Sequence, residues 1–449
     1  MAQTANSDFR SSDELQATLR RSGASSVKLP LVLVLITLSM FLPEETSFFL
    51  GGLRLTLFRL ILLLITPVVL LRFAQMTVSG DYRFVWSDVL VPVAGLWMFV
   101  GPTAINGLGY SLVGIGILAL QFCIPYMAAR VFLTERGQAV TLVRILCIAI
   151  ATVGVLAIFD EFSRRWLVRE IVGSVTGYHD FAGADYSDLM RGFFFRATST
   201  LEHPILLGTA CMGGLLMATT MRGALKPFML VGSALGLVLS VSSSALSGAI
   251  VGFGALLYNK IMRNFPFRWG LALASAVVVT ITIFSLHPDP LGFIINHVTL
   301  DQGTAFYRVL QWQYAGPLVM NSPILGVGAT DDEWITEFAL SSGLAKTIDA
   351  TWLMMALQFG IPGSILIFLS YITPCSLSTD IGNKSLNLTK QERQLGFVLS
   401  LILGLVIYIG FTVYFWGSVQ ILIAFLSGIR AHLGALGAMP REPGLDDDE

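Results

Sequence analysis

Two arginines sit where a cation is expensive to keep. Arg196 lies in FFFRATSTLEHPILLG and Arg308 in FYRVLQWQ, both among apolar or aromatic neighbours. A charge close to hydrocarbon persists chiefly where function requires it. A guanidinium stays ionised at any relevant pH and grips phosphate oxygens with two parallel N–H donors. Arg164, Arg165, Arg169 and Arg191 precede Arg196, and Lys346 follows Arg308. The set suits an anionic lipid headgroup held at a membrane surface, although Arg164, Arg165 and Arg169 read more simply as contacts to lipid phosphate or solvent.

Three further residues could move protons. Asp349 stands just before Thr351, Trp352 and the GIPG turn of Gly360–Gly363. It reads as a helix cap accepting from free amides and also as a general base for glycosyl transfer, facing arginines that hold a leaving phosphate. Glu202 and His203 precede Pro204, which suits a first helical position, so they either start a helix or form a proton-transfer network beside Arg196. Arg59, inside the second apolar run, either snorkels to the surface or contributes to an internal site. No histidine has metal-ligand spacing to a second His, Asp or Glu, Cys123, Cys147, Cys211 and Cys375 form no CxxC or Cys/His cluster, and Gly326-Val327-Gly328 has no strand-helix unit around it. No metal, cofactor or disulfide framework is expected. The serines of SVSSSALSG read as small residues for close helix packing.

These residues need a membrane frame. The 449 residues are 54% hydrophobic and 13% charged, with a mean hydropathy of +0.73, whereas soluble domains carry about 25% charged residues. The expected fold class is an all-α polytopic membrane protein. Its net charge of -1 gives nucleic acid no purchase. Apolar runs of roughly 20 residues span a bilayer, and about twelve candidates fall at 29–43, 55–74, 88–106, 110–133, 138–159, 204–221, 226–241, 244–258, 269–286, 352–374, 396–416 and 418–434. Lysine and arginine concentrate in alternate short loops, at Arg72 and Arg83, Arg130 to Arg144, Arg222 and Lys226, Lys260 to Arg268, Lys384 to Arg393, and Arg430 and Arg441. The positive-inside bias then makes both termini cytoplasmic. Residues 1–28 form a polar tail before a retained first span, 29–434 a single transmembrane domain, and 435–449 a C-terminal tail. Two long loops, about 160–203 and 287–351, fall outside. The second is rich in aromatics, as a folded cap over a membrane site would be.

Four stretches together carry a family resemblance. RATSTLEHPILLG, SVSSSALSGAIVG, FYRVLQWQYAGPLVMNSPILGVG and TIDATWLMMALQFGIPG resemble, in that order, the O-antigen ligase and polymerase superfamily, and most of all its exopolysaccharide repeat-unit polymerases. The resemblance covers Arg196 to Gly363; the first five spans are similar only in hydropathy. It implies a GT-C-like inverting glycosyltransferase of the bacterial inner membrane, working at the periplasmic face without metal or nucleotide sugar. The donor would be an oligosaccharide on undecaprenyl pyrophosphate, the acceptor a glycan. Membrane lipid, a chain-length regulator and export proteins would be further partners. Arg196 and Arg308 match the family arginines that grip pyrophosphate. Ile348-Asp349-Ala350 stands where ligases commonly carry His-Asn, which tilts the expectation to a polymerase. A ligase acting on lipid A core is the alternative, and a non-enzymatic translocator the second; the translocator would need a charged path through spans that are nearly charge-free. The expected catalytic set is Asp349, Arg308, Arg196, His203 and Glu202. Substrate would bind through Arg191, Tyr307, Gln311, Trp312, Trp334 and Gly328, with the aromatics, Tyr314 included, either stacking on sugars or anchoring the cap in the interface.

Overall fold

The computed structural model describes residues 28–50, 53–178, 189–290, 292–293, 302–328, 348–379 and 385–442. Trp334, Lys346, His179 and His297 lie outside the described residues, as do most of both tails. Helices dominate. A short α1 (Leu31–Ser39) leads into a β-hairpin, β1 (Ser47–Leu50) and β2 (Leu53–Thr56), and then into α2 (Leu57–Ser79), α3 (Ser87–Asn106), α4 (Leu108–Phe132) and α5 (Gln138–Ser163). After α6 (Leu167–Thr176) and the two-residue strands β3 (Met190–Arg191) and β4 (Phe194–Phe195) come α7 (Pro204–Thr220), α8 (Lys226–Leu239), α9 (Ser243–Ile261) and α10 (Arg268–Leu286). The chain closes with α11 (Gln302–Asn321), α12 (Thr351–Ile372), α13 (Lys390–Ile409) and α14 (Gly417–Gly437).

Each of the twelve apolar runs contains a helix, but among the described residues eight helices are long and apolar enough to cross a membrane: α2, α3, α4, α5, α10, α12, α13 and α14. The count of twelve is not reproduced. Helix α1 has 9 residues, and α7 and α8, apolar throughout, have 17 and 14. In α9 the serines at 243, 244 and 247 and the polar end at Asn259 and Lys260 dilute the apolar run. The two outer loops expected from sequence also hold helices, α6 in the first and the 20-residue α11 in the second.

One apolar core runs from α1 to α14. Helix α14 is its axis, buried along most of its length and packed on α4, which is why it is mostly apolar on every side. Helices α5 and α8 touch backbone to backbone: a side chain at Gly154 would collide with the carbonyl of Gly232, and one at Gly236 with Gly154 itself. Helix α10 is the opposite case. None of its residues is buried, and it is fastened at its start, where Tyr258 Oη donates to the Arg268 carbonyl (2.6 Å) and Trp269 meets Phe397.

The GIPG turn breaks α12. Gly360 has φ 72°, a left-handed conformation that costs glycine little, and the backbone groups released there are taken up by neighbours. Trp97 Nε1 donates to the Phe359 carbonyl (3.0 Å), Ile361 N to that of Pro323 (2.7 Å), and Val327 N to that of Leu357 (2.6 Å). The turn that follows α11 therefore docks into the break.

At the end of the bundle where α4 and α14 finish, Arg130 and Asp88 form a buried pair with two N–O contacts of 2.8 and 2.9 Å, and Tyr126 Oη donates to the same carboxylate (2.7 Å). Removing one member of such a pair strands a buried charge, at a cost of about 3–5 kcal/mol. Asp88→Ala should therefore greatly reduce the protein that stays monodisperse after heating in detergent, whereas the double replacement Asp88→Leu/Arg130→Met should recover much of it. A double variant as weak as the single one would show that the pair is not the source of the effect.

Candidate active site

A cavity of about 540 Å³ opens at the end of the bundle where α7, α9, α12 and α14 begin. Arg191, Arg196, His203, Tyr307, Arg308 and Asp349 line it, six residues singled out from sequence and drawn from three separate stretches of chain. Ser242, Ser243, Tyr414 and Trp416 complete the polar and aromatic wall. Among the described residues three guanidiniums and one carboxylate line it, a set suited to an oxyanion.

The segment carrying Arg196 is tied down from the end of α5. Asp160 accepts from the backbone N–H groups of Thr198 (3.1 Å) and Ser199 (2.7 Å), Glu161 from that of Phe195 (2.8 Å), and Trp166 Nε1 donates to the carbonyl of Arg196 itself (3.1 Å). Ser199 has φ 56° and Val241 φ 44°. Such backbone is strained for residues with a side chain, valine above all, and it persists where the surroundings over-determine it, commonly at functional sites.

Helix α11 supplies the second arginine. Arg308 is buried, and one turn on the buried Gln311 accepts from the backbone N–H of Asp349 (3.0 Å). One helix thus delivers a cation and fixes the position of the carboxylate it faces. Asp349 does not cap α12: the cap residue is Ala350, without a side-chain bond, while Thr351 donates to the Val413 carbonyl (2.7 Å) and accepts from Phe415 N (3.1 Å). Burial raises the pKa of Asp349, and Arg308 and Arg196 offset part of that rise.

His203 is held in one tautomer. Its Nδ1 accepts from Ile205 N (3.2 Å) at the start of α7, so the neutral ring carries its proton on Nε2. Burial, with Arg196 and Arg169 nearby, lowers its pKa to about 3. With Nδ1 occupied and Nε2 protonated it is a hydrogen-bond donor lining the cavity, and it has no lone pair free to act as a base. The ring leans on Trp416, 5.6 Å away.

Other expected site residues lie elsewhere. Glu202 does not line the cavity: Oε1 accepts from Ser418 N (2.9 Å) and Ser418 Oγ (2.8 Å) at the start of α14, and Oε2 is buried with no hydrogen-bond partner among the described residues. Burial and nearby Glu44 raise its pKa to about 7. Gln311 works behind the cavity through Asp349. Trp312 donates to the Phe411 carbonyl (3.1 Å) and lines a separate apolar groove of about 290 Å³ with Trp352 and Ile365. Gly328, φ 91°, packs against Asn106 beside the break in α12. Arg169 is no lipid or solvent contact: it is buried against Glu45 (2.8 Å) and donates to the Glu202 carbonyl (3.0 Å). Arg164 pairs with Glu161 (2.9 Å) and stays half exposed. Arg59, in the first turn of α2, is absent from the cavity wall. Sequence reasoning missed Asp160, Glu161, Tyr414 and Trp416. The last two sit in the short FTVYFWGS link between spans, where clustered aromatics were a usable signal; Asp160 and Glu161 looked like an ordinary polar helix end. Among the described residues no group of three His, Cys, Asp or Glu comes together.

No curated protein matches the chain. Residues 228–368 match the family model described as O-antigen ligase, a stretch that runs from α8 into α12 and carries Ser242, Ser243, Tyr307, Arg308 and Asp349 of the cavity. Over that stretch the chain is similar to the O-antigen ligase family.

Proposed function

We propose that this chain is an inner-membrane polysaccharide polymerase that moves oligosaccharide repeat units from undecaprenyl pyrophosphate onto an acceptor glycan at the periplasmic face. One observation carries the reading: Arg196, Arg308 and Asp349, distant in sequence, line the same cavity. In the step proposed, an acceptor hydroxyl oxygen attacks the anomeric carbon of the donor and its proton passes to the Asp349 carboxylate. The bond from that carbon to the pyrophosphate oxygen breaks, and the electron pair departs with the pyrophosphate. Attack opposite the leaving group inverts the anomeric centre. Arg196 and Arg308 neutralise charge growing on the leaving group in a site with little water to screen it, and His203 Nε2–H adds a neutral donor. A carboxylate whose pKa is raised by burial is a stronger base than an ordinary one, and the two cations favour its ionised form.

Transfer of finished glycan to lipid A core or another acceptor is the second reading, favoured by the description of the matched family model as O-antigen ligase. The products separate the two. A null mutant of a polymerase makes single repeat units; that of a ligase accumulates long lipid-linked chains. A chain-length regulator and export proteins would be partners of the first.

The test is turnover of a lipid-pyrophosphate oligosaccharide by the purified protein, with and without chelator. Arg308→Lys and Arg196→Lys, which keep charge and lose the bidentate fork, should each lower kcat by about 10²–10³; full activity in Arg308→Lys would rule out the phosphate grip. Asp349→Asn should cost about 10²–10⁴ in rate, and the wild-type rate should fall as pH drops through a value above the usual carboxylate range. A rate flat across that range removes Asp349 as the base. Glu202 behaves differently, since a carboxyl raised from 4.5 to about 7 binds more protons folded than unfolded, so its contribution to stability is fully present at low pH and lost as pH rises between those values. Glu202→Gln should keep turnover and flatten the decline in heat stability across that window; curves parallel to wild type would contradict the assignment.

A further inference from the structure

The opposite end of the bundle holds a second cavity, of about 320 Å³, that the transfer reaction does not use. Arg72 from α2, Arg83 from the α2–α3 turn, Arg130 from α4 and His432 from α14 all line it. Arg130 is spent on Asp88, and its Nη2 also donates to the carbonyl of Arg83 (2.6 Å), which fixes the turn that carries the next cation. Arg72 and Arg83 are exposed, and among the described residues neither forms an ion pair. Asp81, which accepts from Ser79 Oγ (2.6 Å), is the acidic residue on the wall. With Arg130 balanced by Asp88, two guanidiniums face one carboxylate, and the half-buried His432 makes no hydrogen bond among the described residues. The hollow is cationic and lined with donors.

Besides these groups, Tyr82 and Thr134, the wall has an apolar part that includes Met76, Leu133 and Leu436. Next along the same turn, Phe84, Val85 and Trp86 line a separate apolar hollow of about 380 Å³, and Phe84 and Trp86 are more than half exposed. Aromatic side chains exposed beside basic ones mark the depth of lipid headgroups. A free inorganic anion would use the cations and leave the apolar walls idle, whereas an amphiphile uses both. We infer that this cavity binds the phosphodiester headgroup of an anionic phospholipid, with Arg72 and Arg83 on the phosphate and the acyl chain leaving past Phe84 and Trp86. This site lies at the far end of the bundle from Arg196, Arg308 and Asp349 and does not depend on what those residues catalyse.

The full-length protein in neutral detergent is offered equal amounts of phosphatidylglycerol and phosphatidylcholine, and bound lipid is counted by native mass spectrometry. Phosphatidylglycerol should be retained preferentially. Each surface cation near a headgroup is worth about fivefold in affinity, so Arg72→Ala/Arg83→Ala should lose phosphatidylglycerol by more than tenfold and leave phosphatidylcholine unchanged. Both positions are exposed, so the double variant should fold, and its elution on size exclusion checks that it does. Equal retention of the two lipids, or an unchanged double variant, overturns the inference. So does displacement of phosphatidylglycerol by excess inorganic phosphate, which would assign the cavity to a free anion.

Discussion

Like charges gathered round one hollow repel, and this site exists only because the backbone is held against that repulsion. Guanidiniums that line one cavity repel one another, the more so the less water screens them. The opposition comes partly from Asp349 in the cavity and partly from carboxylates outside it. Asp160 and Glu161 grip the main chain around Arg196, and Glu45 locks Arg169. The acids that hold the strap bond to its peptide groups and leave the arginine side chain to face the hollow. That division lets the cavity stay cationic while the segment carrying the charge stays put.

Helix α11 solves the same problem by another route. A single turn separates Arg308 from Gln311, and the amide of Gln311 holds Asp349 by its backbone N–H. The break at Gly360 and the turn after α11 then fix α11 against α12 by main-chain bonds that do not involve the charged groups. The position of α11 against α12 is set by neutral main-chain hydrogen bonds.

Much of this was legible in the sequence, and the parts that were not have physical reasons. Arg196, Arg308 and Asp349 stood out because a charge beside apolar residues is rare, and rarity survives folding. Trp312 was harder: it lies within the right helix, but a helix has several faces, and spacing alone does not say which one meets the cavity. Glu202 beside His203 shows the same limit at an extended segment, where neighbouring side chains point in opposite directions. The count of twelve spans is not confirmed, since α7 and α8 are apolar but have 17 and 14 residues, short of bilayer length. Asp160 gave no signal, since its task is to bond peptide groups, and those are invisible in a list of side chains.

The direction of the chain at the cavity has a consequence of its own. Helices α7, α9, α12 and α14 all start there, so four macrodipoles present their positive ends to the same space, with Glu202 compensating the one at Ser418. This field arises from aligned peptide units, cannot be titrated away, and outlasts the loss of any one side chain. A preference for anions is thus written into topology, and would remain if the arginines were replaced.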